Sequence, residues 1–131
     1  MRGLDTNVLV RLLTQDDARQ ARRVDRLFAE ARERGEPLYV NAIVLCEVAW
    51  VLRAAYQHGS DRIADALELM LGAPDLVIED ADLVRRALSA YRKGPGDFSD
   101  YFIGERNTRA GCDATVTFDK RLANAEAFKR L

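Results

Sequence analysis

Asp5, Glu47, Asp100 and Asp119 are four acids at positions where a carboxylate needs a reason. Asp5 and Asp119 each directly follow a segment with strand character. Ligands of open parallel sheets bind at the carboxyl ends of strands, so two such acids can be neighbours in space though far apart in sequence. For either one alone, the plainer reading is a cap for the helix that follows it. Glu47 is the only charged residue between Ala42 and Leu52. A helix apolar all round is a buried one, and a buried carboxylate needs a partner. Arg53 could be that partner, although six residues away it lies on a different part of the helix surface; a metal ion is the alternative. Asp97 and Asp100 follow the Gly94-Pro95-Gly96 turn and open a helix. Asp97 reads as its N-cap and Asp100 as the third helical residue, a placement that also favours an acid.

Carboxylates gathered in one place repel, and each raises the others' pKa unless a cation neutralises them. Oxygen ligands without His or Cys select hard ions, so magnesium or manganese (Mg2+ or Mn2+) fits better than zinc. Such ions suit phosphoryl chemistry, because they acidify a bound water and stabilise charge on the leaving oxygen. The chain has no glycine-rich phosphate loop. His58, the only histidine, lies near a turn and takes no role, so a Ser-His-Asp hydrolase is disfavoured.

The elements that must position these acids alternate. Strands are expected at Arg2 to Leu4, Pro37 to Val40, Pro74 to Ile78 and Ala114 to Phe118. Helices are expected at Asn7 to Leu13, Asp16 to Arg34, Ala42 to Tyr56, Asp61 to Leu71, Ala81 to Arg92 and Phe98 to Ala110. Gly35 ends the second helix, Ser60 and Asp80 are expected N-caps, and Gly111 closes the last. The final dozen residues read equally as a short helix or a short strand. Strands alternating with helices give an α/β fold with a parallel sheet covered on both faces and right-handed crossovers.

The 131 residues, 48% hydrophobic and 31% charged, are enough for one domain with its own core. No apolar run approaches the roughly 18 residues of a membrane span, and the N-terminus lacks a signal-peptide pattern, so a cytoplasmic protein is expected. Cys46 and Cys112 read as buried thiols. The net charge of −1 argues only weakly against a nucleic-acid substrate, and also suits a chain that associates with itself or a partner.

Leu4-Asp5-Thr6-Asn7-Val8-Leu9-Val10, Glu47 within an apolar helix, Asp97-Phe98-Ser99-Asp100-Tyr101-Phe102-Ile103 and Thr117-Phe118-Asp119-Lys120, in that order, resemble the motifs of the PIN-domain nucleases. More narrowly they resemble the VapC-type toxins of type II toxin–antitoxin pairs. The likeness spans nearly the whole chain and implies a single nuclease domain over residues 1–131, a three-layer α/β/α sandwich around a central parallel sheet. It implies a Mg2+- or Mn2+-dependent endoribonuclease, with Asp5, Glu47, Asp100 and Asp119 as the acidic quartet and Asp97 as a further ligand. Thr6, Asn7 and Thr117 match polar residues that support the acids. A homodimer and a cognate antitoxin protein are implied too. Ile63, Leu67, Leu69, Met70, Trp50 and Tyr56 offer either a groove for a partner helix or simply core. Arg11, Lys93, Lys120 and Arg121 are the expected RNA phosphate contacts; Arg19, Arg22, Arg23 and Arg26 read as a solvated face.

Other readings fit less well. A receiver-type signalling domain needs an acidic pair after its first strand, and would leave Glu47 without a function. A haloacid-dehalogenase-like phosphatase needs a second acid where Asn7 stands. A PIN-like module that binds RNA or a partner without cutting is the remaining alternative.

Overall fold

Apolar residues at Ala21, Val24, Phe28 and Ala31 recur with the helical period and form the buried face of a helix over Ala18–Arg34 (α2). The Asp17 side chain caps its start by accepting from the Gln20 N–H at 3.0 Å. Gly35 ends it in the left-handed conformation, φ 63°, which a glycine adopts without steric cost. The computed structural model describes all residues, 1–131, and they fall into two compact units, Met1–Glu79 and Asp80–Leu131.

In the first unit three short strands, β1 (Arg2–Gly3), β2 (Leu38–Val40) and β3 (Leu76–Ile78), pair in parallel in the order β1-β2-β3. Leu38 lies opposite Arg2 on one side and Leu76 on the other. Parallel neighbours require crossovers. Helices α1 (Thr6–Thr14) and α2 separate β1 from β2, and α3 (Ala42–Ala54) and α4 (Ser60–Gly72) separate β2 from β3. Leu9, Leu38, Val40, Leu45, Val48, Leu52, Ile63 and Leu67 are fully buried. Each contributes about 1.5–3 kcal/mol by leaving water.

In the second unit α5 (Ala81–Lys93) packs on α6 (Phe98–Arg109). Tyr91, Phe98, Tyr101 and Phe102 build its aromatic core, with Tyr91 edge-on to Phe98 and Phe98 stacked on Phe102. β4 (Thr115–Thr117) pairs in parallel with β5 (Phe128–Arg130). The undecided C-terminal residues thus supply a 3-10 turn at Lys120–Leu122 and then this strand.

The α/β class, the order of elements and parallel pairing agree with expectation, while some local expectations are corrected. The N-cap of α4 is Gly59 rather than Ser60, and no side chain caps that end. Asp80 precedes α5 in the left-handed region, φ 50°, and makes no side-chain cap; its carboxylate instead lies 3.6 Å from Arg109. Cys46 is half-buried and Cys112 exposed, so neither is a core thiol. α3 is not buried all round. Ile43, Glu47 and Trp50, spaced i, i+4, i+7, form an exposed stripe, with Ile43 69% and Trp50 67% accessible.

Candidate active site

The acid at the start of α1 is placed by the strand before it. Leu4 is buried, its N–H donates to the Tyr39 carbonyl at 2.8 Å, and the chain turns into α1 at Asp5. Asp5 is exposed at the N-cap position, and its Oδ1 accepts the adjacent Thr6 N–H at 2.8 Å. Thr6 is 6% accessible, and its hydroxyl donates to Glu47 Oε2 at 2.6 Å. Thr6 therefore sits between Asp5 and Glu47, bonded to both. Glu47 is an exposed residue whose carboxylate is held by a buried hydroxyl. The expectation of a buried charge is corrected: the apolar neighbours Ile43 and Trp50 face solvent beside it.

Glu79 is another acid at a strand end, and it is spent structurally. Its carboxylate accepts from the Ala42 N–H, the first amide of α3, at 2.9 Å and from the Tyr39 hydroxyl at 3.0 Å. Asn7 is exposed and lines a cavity of about 350 Å³ with Val8, Arg11 and Val24. Arg11, an expected phosphate contact, is instead committed to Asp16, Gln20 and Tyr56. The Tyr56 hydroxyl bond raises its pKa further. This network ties α1 to the first turn of α2, to Asp16 before it and to Tyr56 after α3, a structural task.

The second unit gathers three acids around one cation. Asp97 and Asp100 form a reciprocal capping box at the start of α6, in which Asp100 Oδ2 accepts the Asp97 N–H at 2.8 Å. Asp119 lies two residues after β4 and opens the 3-10 turn by accepting the Arg121 N–H at 2.9 Å. The Arg121 guanidinium then folds back onto the acids. Its Nη2 lies 2.7 Å from Asp119 Oδ2, 3.4 Å from Asp100 Oδ2 and 3.6 Å from Asp97 Oδ2. Its Nε adds two bonds to Asp119, at 3.1 and 3.2 Å. The Arg121 side-chain bonds, then the backbone N–H, hold the Asp119 carboxyl below its ordinary value. Thr117 supports this corner through the main chain, its Oγ1 accepting the Asp119 N–H at 3.0 Å. Lys93 and Lys120 are exposed.

Two further features of this corner are glycines chosen for space rather than for φ. A Cβ on Gly94 would meet the Tyr101 hydroxyl at 1.9 Å, and one on Gly96 would meet Leu122 at 2.7 Å. The Gly96 N–H donates to the Tyr101 hydroxyl at 3.0 Å. The turn that delivers Asp97 thus lies flat against Tyr101. Gly94-Pro95-Gly96 reads from sequence as a turn, but the contact with Tyr101 leaves no sequence signal.

No group of three or more His, Cys, Asp or Glu side chains is arranged as a ready metal cage. The donor chemistry of the second unit nevertheless suits a hard divalent ion, because it is all carboxylate. The same three carboxylates already bind one positive group.

A model of the PIN domain matches residues 4–127, across both units. The chain belongs to the PIN-domain family, and its α/β architecture is the PIN-like fold. Within that family its likeness is to the VapC type. A VapC ribonuclease from Aquifex aeolicus (strain VF5) is 26% identical over 121 residues, which cover 92% of this chain and 89% of that relative.

Proposed function

We propose that the protein is a Mg2+- or Mn2+-dependent endoribonuclease, the toxin of a toxin–antitoxin pair, and that both units serve one nuclease domain in the cytoplasm. The observation that carries this reading is the convergence of Asp97, Asp100 and Asp119 on one guanidinium. Membership of the PIN family and the likeness to a VapC ribonuclease support it.

Asp5, Glu47, Asp97, Asp100 and Asp119 are the proposed metal ligands. When bound, the ion would lower the pKa of a water and stabilise charge on the phosphodiester oxygens. The chain's own residues do the rest. Thr6 fixes the Glu47 carboxylate, leaving its second oxygen for a ligand. Thr117 fixes the peptide that carries Asp119. Lys93 and Lys120, exposed and cationic, are the proposed contacts for RNA phosphates, which position a strand without reading its sequence. Arg11 is left out, since its guanidinium is engaged elsewhere.

The partner reading, an antitoxin or a second copy of the chain, is supported by the exposed stripe of α3. Ile43 and Trp50 are large apolar groups that a lone protein leaves in water, and Leu69 of α4 is 71% accessible. Ile63, Leu67 and Met70 belong to the core and take no part.

The test is cleavage of a total-RNA pool by the purified chain, with Mg2+ or Mn2+, with a chelator, and with Asp100→Asn. Discrete fragments that vanish with the chelator and the variant are expected. Metal binding without cleavage would leave the non-cutting RNA- or partner-binding module as the better reading.

A further inference from the structure

Arg121 was expected to meet RNA, yet its guanidinium faces three carboxylates of its own chain. The hold is strongest at Asp119, where Nε and Nη2 reach the carboxylate as a fork. A planar guanidinium matches a carboxylate in this way, and an ammonium does not. It occupies both oxygens of Asp119 and one each of Asp97 and Asp100, carboxylates of the proposed ligand set. A divalent ion sits about 2.0–2.2 Å from a carboxylate oxygen. With Nη2 on Asp119 Oδ2 at 2.7 Å, an ion that took the same oxygen would lie within roughly 5 Å of the guanidinium, two like charges drawing on one ligand.

Arg121 has somewhere to go. Its side chain is 39% accessible and borders a cavity of about 790 Å³ within the second unit. That cavity is lined by the carboxylates of Glu105, Asp113 and Glu126 as well as by Arg86 and Lys93, so it offers the guanidinium other acids.

We propose that Arg121 is a resident counter-cation of the acidic site, which a divalent ion displaces from Asp97, Asp100 and Asp119, so that the chain sets its own threshold for metal loading. This rests on the reading of those acids as metal ligands. Arg121 holds the acids together at low metal concentration and withdraws toward the cavity as the ion binds. It is a positioning residue for the site.

The experiment is Mn2+ titration of the full chain by calorimetry, with free Mn2+ followed by electron paramagnetic resonance, for wild type, Arg121→Ala, Arg121→Lys and Lys120→Ala. Circular dichroism checks that each is folded. Removing the competitor should tighten Mn2+ binding about five- to ten-fold in Arg121→Ala, with Arg121→Lys in between. Lys120→Ala removes the same formal charge one residue away and should stay within about two-fold of wild type. Unchanged or weaker binding in both Arg121 variants would overturn the inference, as would equal tightening in Lys120→Ala, which would mean that net charge alone matters. Failure of wild type and all variants to bind Mn2+ would overturn the metal-site reading itself, and this inference with it.

Discussion

The Thr6 hydroxyl donates to the Glu47 carboxylate at 2.6 Å, joining residues 41 positions apart. Thr6 is buried and Glu47 is exposed, so the bond orients an acid that would otherwise sample several rotamers. Two substitutions separate its roles. Glu47→Gln keeps an acceptor for Thr6 and relieves no burial, so stability should change by no more than about 0.5 kcal/mol while cleavage is lost. Thr6→Val keeps the shape and loses the bond, costing about 1–2 kcal/mol and lowering cleavage ~10- to 100-fold. Urea denaturation and single-turnover cleavage measure the two effects. A Glu47→Gln protein that cuts normally would remove Glu47 from the ligand set.

Asp16 supplies a pH dependence whose sign follows from its partners. Its carboxyl lies below the ordinary value of 3.8, first because the Tyr56 hydroxyl donates to it at 2.6 Å, then through Thr14 and Arg11. A carboxyl lowered in the folded state contributes its stability in full above the unfolded value. It loses that contribution as pH falls through the folded value. The loss therefore lies below about pH 4, with no effect near neutrality. Tyr56→Phe should move the Asp16 midpoint up toward 3.8 and flatten the acid limb of the stability curve. Carboxyl-carbon NMR titration reads the midpoint directly; a midpoint unmoved in Tyr56→Phe would mean the hydroxyl is not its cause.

The elements were legible in the sequence where a local signal sets them. Ala21, Val24, Phe28 and Ala31 show the helical period, and Asp17 and Gly35 have the chemistry of its two ends. Glu47 shows where legibility stops. The run from Ile43 to Leu52 reads as buried all round, because sequence does not distinguish an apolar residue in the core from one kept on the surface. The i, i+4, i+7 stripe of Ile43, Glu47 and Trp50 is exposed. Asp80 has the composition of a cap, but its carboxylate goes to Arg109, a partner 29 residues away that no local rule reveals. Arg121 reads as a phosphate contact for the same reason. Its acids at 97 and 100 reach it only because the chain folds back after α6, and that approach is tertiary.

The flat turn before α6 makes a prediction about stability alone. Gly96→Ala drives a Cβ to 2.7 Å from Leu122 and 3.2 Å from Tyr101, both buried, and should cost about 1–3 kcal/mol by overpacking. Gly72→Ala is the control. No atom lies within 4 Å of its Cβ and it ends α4, so the change should be neutral or stabilise by up to ~1 kcal/mol. Thermal unfolding distinguishes them, and equal midpoints would mean that the Gly96 contact relaxes freely.

Asp5 and Asp100 belong to different units, and the proposed function requires them to serve one reaction. Asp100→Asn retains an oxygen acceptor for the Asp97 N–H, so the capping box survives and the fold should stay within about 0.5 kcal/mol of wild type. Cleavage should fall at least ~100-fold. Asp5→Asn likewise keeps an acceptor for the Thr6 N–H and should lose activity on a similar scale. If both carboxylates act in one chemical step, the second removal finds little left to lose. The double variant should then be scarcely slower than either single one, as happens when catalytic groups act as a unit. Residues acting independently would instead multiply their effects. The measurement is the single-turnover rate on a defined RNA for the four proteins. A double variant slower by the product of the single effects would mean that the two acids contribute separately.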